Sequence, residues 1–494
     1  MNDRSLSSFP RRLVRAIVAL LRKSVLLVLL VVVAIIIGRA YLSTSGPPLR
    51  PWHTIVPEEL SARAIEHEDW RGWIAAENTM FEDLHRRLQA AMDAGDRTPL
   101  NRYNDASRVA PMTYGRDWNR SYVLEPAGAP VGVAVMLHGL TDSPYSMRSL
   151  AELYRQRGFV AIVPRMPGHG TVPAGLTREG REAWNATVDM AMAEAGRRAT
   201  AGHLPVHLVG YSNGAALALL HVTRRIERNA PPDADRLVLL SPMIEVNRFA
   251  RYAGLAGLPA VLGRYAKTAW LDLLPEYNAF KYNSFPVHAA RESYLVTADL
   301  QEAIDDLVAQ HRTQQMPPIL AFESVVDDTV SARAVMSSLF DKLGGQDDEL
   351  VLFDVNRSRA LAPILRSDAT DWPLTLLQAP RPYTLTLVGT TSATDAAVVA
   401  RSRRSGAAGI DTRPLGLAYP RDVYSLSHIA LPFPDDDPLY GDRPSGRAAL
   451  QLGGIAIRGE RNVLVVSQDS LDRLGFNPFF GYMAERIAAD IHGR

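Results

Sequence analysis

The residue of this 494-residue chain best placed to do chemistry is a serine between two glycines. Gly210-Tyr-Ser-Asn-Gly214 follows the apolar run 205–209 and precedes the helix-forming stretch 215–220. Ser212 therefore falls where a strand turns sharply into a helix, a nucleophile elbow. The glycines allow a turn that a Cβ would resist, and the turn pushes the hydroxyl out toward a reactant. An alcohol at its own pKa is a poor nucleophile, so Ser212 needs a base within hydrogen-bond reach. That base needs an acid to fix its tautomer.

Where serine occupies such a corner of a doubly wound sheet, a carboxylate and then a histidine follow it in the chain. Downstream of the final candidate strands only His428 and His492 remain, and His492 sits on the tail of a helix. His428, in Tyr424-Ser-Leu-Ser-His-Ile-Ala430, is the expected base; its alternative is a histidine that only satisfies its own loop. The acid is expected where the strand 318–322 ends, a place that offers Glu323, Asp327 and Asp328. Asp327 leads, because Asp327-x-x-Val330 with Ser331 opening a helix suits an acid-bearing turn, and an exchange of roles with Asp328 is the open alternative. The Asn213 N–H at the helix start and the Leu140 N–H in the turn His138-Gly-Leu140 are the expected oxyanion donors. His138 precedes the serine in the chain. It and His169, in Pro167-Gly-His-Gly170, are assigned to loop support.

These residues need a scaffold. From about residue 120 strand-like and helix-like segments alternate, which argues for a mainly parallel sheet covered on both faces. Strands are expected at 131–137, 159–164, 205–211, 236–240, 318–322 and 349–354, and helices at 144–157, 178–200, 214–228, 331–343 and 479–491. Two stretches interrupt the alternation. The first, about 243–315, contains the apolar segment 252–262 and then Trp270, Leu271, Leu273 and Leu274. Its position suits a cap whose apolar residues form its own core, with an acyl-chain-binding lid as the alternative. The second, about 356–420, is mixed in composition around the strand-like 383–388, carries no assigned function and is expected to be partly mobile. Residues 58–92, with Trp70, Trp73, Phe81, Leu84 and Leu88 at helical spacing, read as an amphipathic helical segment packed on the main domain. The division that follows is a basic segment 1–23, an apolar anchor 24–42, a linker and helical extension 43–115, and a catalytic domain 116–494.

Composition narrows the class further. With 47% apolar and 22% charged residues, and Lys+Arg 54 against Asp+Glu 53, the chain reads as globular with no charge excess to favour nucleic acid. The absence of cysteine excludes thiolate nucleophiles, disulfides and lipoprotein anchoring. The uncharged run 24–38 is expected to enter a membrane as a transmembrane helix, although it reaches only about 22 Å, with Arg39 snorkelling and Tyr41 at the far interface. Arg4, Arg11, Arg12, Arg15, Arg22 and Lys23 precede the run. The positive-inside rule then leaves the N-terminus cytoplasmic and the catalytic domain extracytoplasmic, periplasmic in a Gram-negative cell. A cleaved signal peptide is the alternative, against which Gly38-Arg39-Ala40 is a poor cleavage site. Metal and nucleotide motifs are absent from the sequence, so no cofactor is expected.

Together, His138-Gly-Leu-Thr-Asp-Ser143, Pro167-Gly-His-Gly170, Gly210-Tyr-Ser-Asn-Gly214, Leu240-Ser-Pro242, Asp327-x-x-Val330 and His428 resemble the α/β-hydrolase superfamily. The resemblance is nearest to its monoacylglycerol-lipase and lysophospholipase-like, or serine-aminopeptidase-like, branch. It implies Ser212, Asp327 and His428 as a catalytic triad, with Leu140 and Asn213 forming the oxyanion hole. Three departures stand out: a long interval from Asp327 to His428, Pro164-Arg-Met-Pro167 where relatives often carry an aspartate, and the N-terminal apolar run. The implied activity is hydrolysis of acyl esters, with lysophospholipids or monoacylglycerols as natural substrates at a membrane. A peptidase or amidase of the same fold is the second reading; His138-Gly-Leu-Thr-Asp142 in place of the His-Gly-Gly-Pro-Gly of proline iminopeptidases favours esters. The third is a non-catalytic membrane-tethered scaffold.

Overall fold

The computed structural model describes residues 9–200, 202–245, 258–444, 451–453 and 473–492. Its centre is one ten-stranded sheet. In chain order the strands that lead to the site are β1 (Tyr122–Leu124), β2 (Gly132–Leu137), β3 (Phe159–Val163), β4 (Val206–Tyr211) and β5 (Arg236–Leu240). A two-stranded ribbon follows, β6 (Trp270–Asp272) with β7 (Phe285–Pro286), and then β8 (Ile319–Ser324), β9 (Glu349–Phe353), β10 (Thr384–Ser392), β11 (Asp395–Arg403) and β12 (Asp411–Ala418). The spatial order is β1-β3-β2-β4-β5-β8-β9-β10-β11-β12. Pairing is parallel from β3 to β10 and antiparallel at both flanks. Strands β2, β3, β4, β5, β8 and β9 are buried at every position, as expected where helices cover both faces.

One face carries the helices Arg181–Thr200, Asn213–Glu227 and Val287–Ala309, whose apolar sides share a core with Val133, Val135, Leu208, Leu237 and Leu239. The opposite face is closed by Arg148–Gln156 and the last helix, Phe480–His492, over Met136, Val209, Leu240 and Phe322. In Val287–Ala309 the buried positions Ala289, Ser293, Val296, Leu300, Ala303 and Leu307 recur every three or four residues, so this helix presents one stripe to the core. The C-terminal part of the stretch read as a cap, 287–309, is therefore a layer of the main domain. Of the apolar segment 252–262, residues 252–257 lie outside the described residues. Beyond it, Trp270 is buried while Leu271 is exposed.

The stretch 356–420 adds three strands to the sheet. Strand β10 runs parallel beside β9, pairing Leu385 with Leu350 and Leu387 with Leu352, and β11 and β12 return antiparallel. This explains how a long interval after β8 still ends near the serine: the chain goes out as three added strands and comes back across the sheet. Its return is pinned by Asn356, whose side-chain amide donates to the Pro420 and Val423 carbonyls at 3.1 and 2.9 Å, and by Ser324, whose hydroxyl donates to Leu426 O at 2.9 Å.

The N-terminal region corrects one expectation. Among the described residues no helix is long and apolar enough to cross a membrane, so the spanning anchor at 24–42 is not supported. A 34-residue helix, Phe9–Leu42, is present instead. The uncharged run within it rises about 22 Å, against about 30 Å of hydrocarbon, and is closed by Arg22, Lys23 and Arg39. Arg39 donates to the carbonyls of Thr268 and Trp270, at 3.4 and 3.0 Å, and so ties the helix to the folded domain where snorkelling was expected. Lys267 answers from the other side, donating to Ser45 O and Gly46 O. The helical extension forms three helices, Pro51–Thr54, Ala62–Ile65 and Trp70–Ala91, the last capped by the Asp69 carboxylate accepting from Gly72 N at 2.7 Å.

Candidate active site

Strand β4 delivers Ser212 with φ 54° and ψ −117°, a conformation that costs a non-glycine residue about 1–3 kcal/mol and persists only where the surroundings impose it. The neighbouring glycines show what imposes it. A Cβ on Gly210 would lie 2.4 Å from Ala215 Cα, and one on Gly214 would lie 2.2 Å from the Leu137 carbonyl oxygen. Helix Asn213–Glu227 thus lies against β2 and β4 too closely for a side chain at either glycine. Ser212 N–H donates to Leu240 O at 2.9 Å, and Ser212 O accepts from Met243 N at 3.2 Å.

Three elements distant in sequence bring polar side chains to that hydroxyl. His428 begins a single 3-10 turn, His428–Ala430, and its Nε2 lies 3.0 Å from Ser212 Oγ. Its Nδ1 lies 2.7 Å from Asp327 Oδ2. With Nδ1–H donating to the carboxylate, Nε2 is left as acceptor for the serine hydroxyl. The other Asp327 oxygen accepts from Thr329 N and Val330 N at 2.7 and 2.9 Å, which fixes the carboxylate plane. Asp328 is exposed, and Asp327 is the acid that meets His428. Tyr211 packs its ring 5.5 Å from that of His428 and donates its hydroxyl to His428 O at 3.4 Å.

Burial alone would raise the Asp327 carboxyl, but His428, the Val330 N–H and the Glu323 side chain outweigh it and hold the group below the ordinary carboxylate value. Glu323 behaves oppositely. It is fully buried, and its Oε1 accepts from Ser324 N at 2.8 Å and from the Ser241 hydroxyl at 3.2 Å. Burial, then the adjacent Asp327 charge, pushes this carboxyl well above the usual range. Two neighbouring carboxyls are therefore shifted in opposite directions by the same surroundings.

The turn 138–140 lies beside the corner, since a Cβ on Gly139 would lie 3.3 Å from Ser212 Cβ. His138 is a loop support: Nδ1–H donates to Gly139 O at 2.9 Å and Nε2 accepts from Met166 N at 3.0 Å. Burial lowers it to about 4, so it is neutral, as that pair of bonds demands. His169 Nδ1 meets Pro167 O at 3.2 Å, with its ring edge-on to Trp184. Asn213 opens the nucleophile helix, where N–H groups have no intrahelical partner. A cavity of about 230 Å³ adjoins the centre, with Tyr211, Leu274, Lys281, Ile429, Phe433 and Tyr440 in its walls. Among the described residues no group of three His, Asp or Glu side chains is arranged to hold a metal ion.

Sequence reasoning missed Glu323 as the desolvated neighbour, because nothing in Glu323-Ser-Val-Val-Asp327 marks which acid is buried. It also missed the partners of Arg165. There the signal was available: an arginine where relatives often carry an aspartate needs acids of its own.

The sheet order, with a sharp strand–serine–helix corner at β4, defines an α/β-hydrolase fold. Within that class, residues 128–356 match the family described as serine aminopeptidase, S33. A thermostable monoacylglycerol lipase of Bacillus sp. (strain H-257) is 28% identical over 202 residues, covering 41% of this chain and 72% of the relative. Among solved structures, a monoacylglycerol lipase from Paleococcus ferrophilus is 18% identical with a TM-score of 0.35, covering 47% of this chain and 88% of that one. A monoglyceride lipase from Saccharomyces cerevisiae is 14% identical with a TM-score of 0.35, covering 47% and 80%.

Proposed function

We propose that the protein is a serine hydrolase that cleaves carboxylic acyl esters of lipid origin, with monoacylglycerols or lysophospholipids as its substrate class. The observation that carries this reading is the unbroken line Asp327–His428–Ser212, at 2.7 and 3.0 Å. Ser212 Oγ attacks the acyl carbon while His428 Nε2 takes its proton. The carbonyl oxygen gains charge and is received by the Leu140 and Asn213 N–H groups. The C–O bond to the alcohol then breaks, and His428 returns the proton to the leaving oxygen. Water, deprotonated by the same imidazole, attacks the acyl-enzyme and releases the acid. Asp327 stays charged throughout and steadies the imidazolium.

Membrane attachment belongs to the same reading. Helix Phe9–Leu42 exposes Leu20, Leu21, Val25, Leu27, Leu30 and Ile37, and carries Arg22 and Lys23 beside them, a composition suited to anionic lipid. Its C-terminal end is tied to 267–270, a few residues before Leu274 in the cavity wall, so attachment would bring the cavity to the lipid.

Fluorophosphonate labelling and a substrate panel test the reading. Wild type should be labelled and Ser212→Ala should not, and lysophospholipid or monoacylglycerol should turn over faster than matched amides. A folded wild type that neither reacts nor hydrolyses esters would leave the scaffold alternative, and faster amide turnover would make the enzyme a peptidase. Sedimentation with anionic vesicles, lost on deletion of residues 9–42, tests the attachment.

A further inference from the structure

Arg165 is fully buried in the loop after β3, and both of its acidic partners come from the N-terminal extension. Its Nη1 and Nη2 donate to the two Glu59 oxygens at 2.7 and 2.9 Å, a bidentate pair, and Nε donates to Glu77 Oε1 at 2.8 Å. Glu77 lies on helix Trp70–Ala91 and also accepts from Ser121 N and Ser121 Oγ, each at 2.9 Å. The Glu59 and Glu77 side chains are 2% and 1% exposed, so all three charges are out of water and depend on one another.

The cluster does more than fasten the extension, because its remaining bonds run toward Ser212. Arg165 Nη1 also donates to His169 O at 3.1 Å, and Glu59 Oε1 accepts from Gly168 N at 2.9 Å, so the loop 166–169 is held from both sides. That loop presents Met166 N–H to His138 Nε2, and His138 in turn grips Gly139 O through Nδ1–H. Gly139 O and Leu140 N–H belong to one planar trans peptide and point in opposite directions. A peptide whose oxygen is clasped on the loop side therefore has its N–H turned the other way.

We propose that Arg165, charged and held by Glu59 and Glu77, is a positioning residue for the Leu140 N–H, which makes the N-terminal extension part of the catalytic apparatus. This rests on the esterase reading above, in which that N–H receives the oxyanion. The extension supplies two of the three charges that fix the loop, so the hydrolase core without it lacks the partners that orient one donor. A donor displaced by even about 1 Å loses much of its value in the transition state while ground-state binding hardly changes.

Removing Arg165 alone would strand two buried carboxylates, so the informative variant is the neutral triple Arg165→Met, Glu59→Gln, Glu77→Gln in the full chain. Expected are a cooperative melt, kcat reduced about 10- to 100-fold with KM within threefold, and a parallel weakening of an acyl trifluoromethyl ketone, whose adduct carries the oxyanion. A folded triple variant with wild-type kcat and ketone affinity overturns the proposal. If the triple variant does not fold, His138→Phe removes the imidazole's 2.9 Å bond to Gly139 O, leaving only the longer one from Asp142 N at 3.3 Å, while keeping a buried ring, and the same split is required of it. A folded His138→Phe enzyme with unchanged kcat overturns the proposal equally. Failure of the underlying reading looks different: wild type itself would neither label at Ser212 nor hydrolyse esters.

Discussion

Changing Asp327 to asparagine leaves shape almost untouched and should nevertheless abolish most turnover. Oδ1 of Asp327 already accepts from Thr329 N and Val330 N, so the asparagine carbonyl must keep that side to satisfy two N–H donors. The amide NH2 is then forced toward His428 Nδ1, at the place of a 2.7 Å bond that now needs an acceptor. The imidazole answers by moving its proton to Nε2, which turns a donor toward Ser212 Oγ and removes the base. A wrong tautomer of this kind costs about 10⁴ in kcat in comparable triads, roughly 5 kcal/mol of barrier. Initial rates on a soluble p-nitrophenyl ester would measure it, with circular dichroism to verify the fold. Asp328→Asn, at an exposed position, serves as the matched control and should stay within threefold of wild type. An Asp327→Asn enzyme within tenfold of wild type, or an Asp328→Asn enzyme as damaged as the first, would refute the reasoning.

The parallel core was legible because its strands are predominantly apolar runs that lie between recognisable helices. The expected 205–211 and 236–240 coincide with β4 and β5 to within a residue. The serine corner was legible because two glycines leave one plausible geometry. The outer sheet was obscure for a physical reason: the last of its added strands, β12, faces solvent at most positions and carries Arg413, Pro414 and Gly416, so neither alternation nor apolar content marks it. The buried ion cluster was legible only in part: Arg165 signals that acids must meet it, but Glu59 and Glu77 reach it only after helix Trp70–Ala91 docks, so no local pattern names them. At the N-terminus apolar content was visible, but the ties of Arg39 to Thr268 O and Trp270 O depend on tertiary structure.

Three further outcomes are expected from the same structure. Gly214→Ala would drive a Cβ against Leu137 O, an atom of a central strand that cannot yield, and should lower stability by more than about 3 kcal/mol in urea melts; a loss under 1 kcal/mol would show the corner to be pliable. Glu323→Gln should leave kcat within threefold and the acid limb of the pH–rate profile unmoved, because a neutral acid is replaced by a neutral amide. Were Glu323 ionised, removing its charge would shift that limb down by about a unit. His221 sets a pH dependence of stability. Burial alone would lower this imidazole, but bonds to Asp189 at 2.7 Å and Asp233 at 3.0 Å outweigh it and raise it to about 9. A folded value above the unfolded one, about 6.5, means the contribution is complete below pH 6.5 and drains away as pH rises through 9. Asp189 is more than half exposed, so solvent screening trims the effect. His221→Leu should therefore melt well below wild type at pH 6, with the gap narrowing steadily toward pH 10. A gap constant across that range would mean that packing, and not the charged pair, is what His221 contributes to helix Asn213–Glu227.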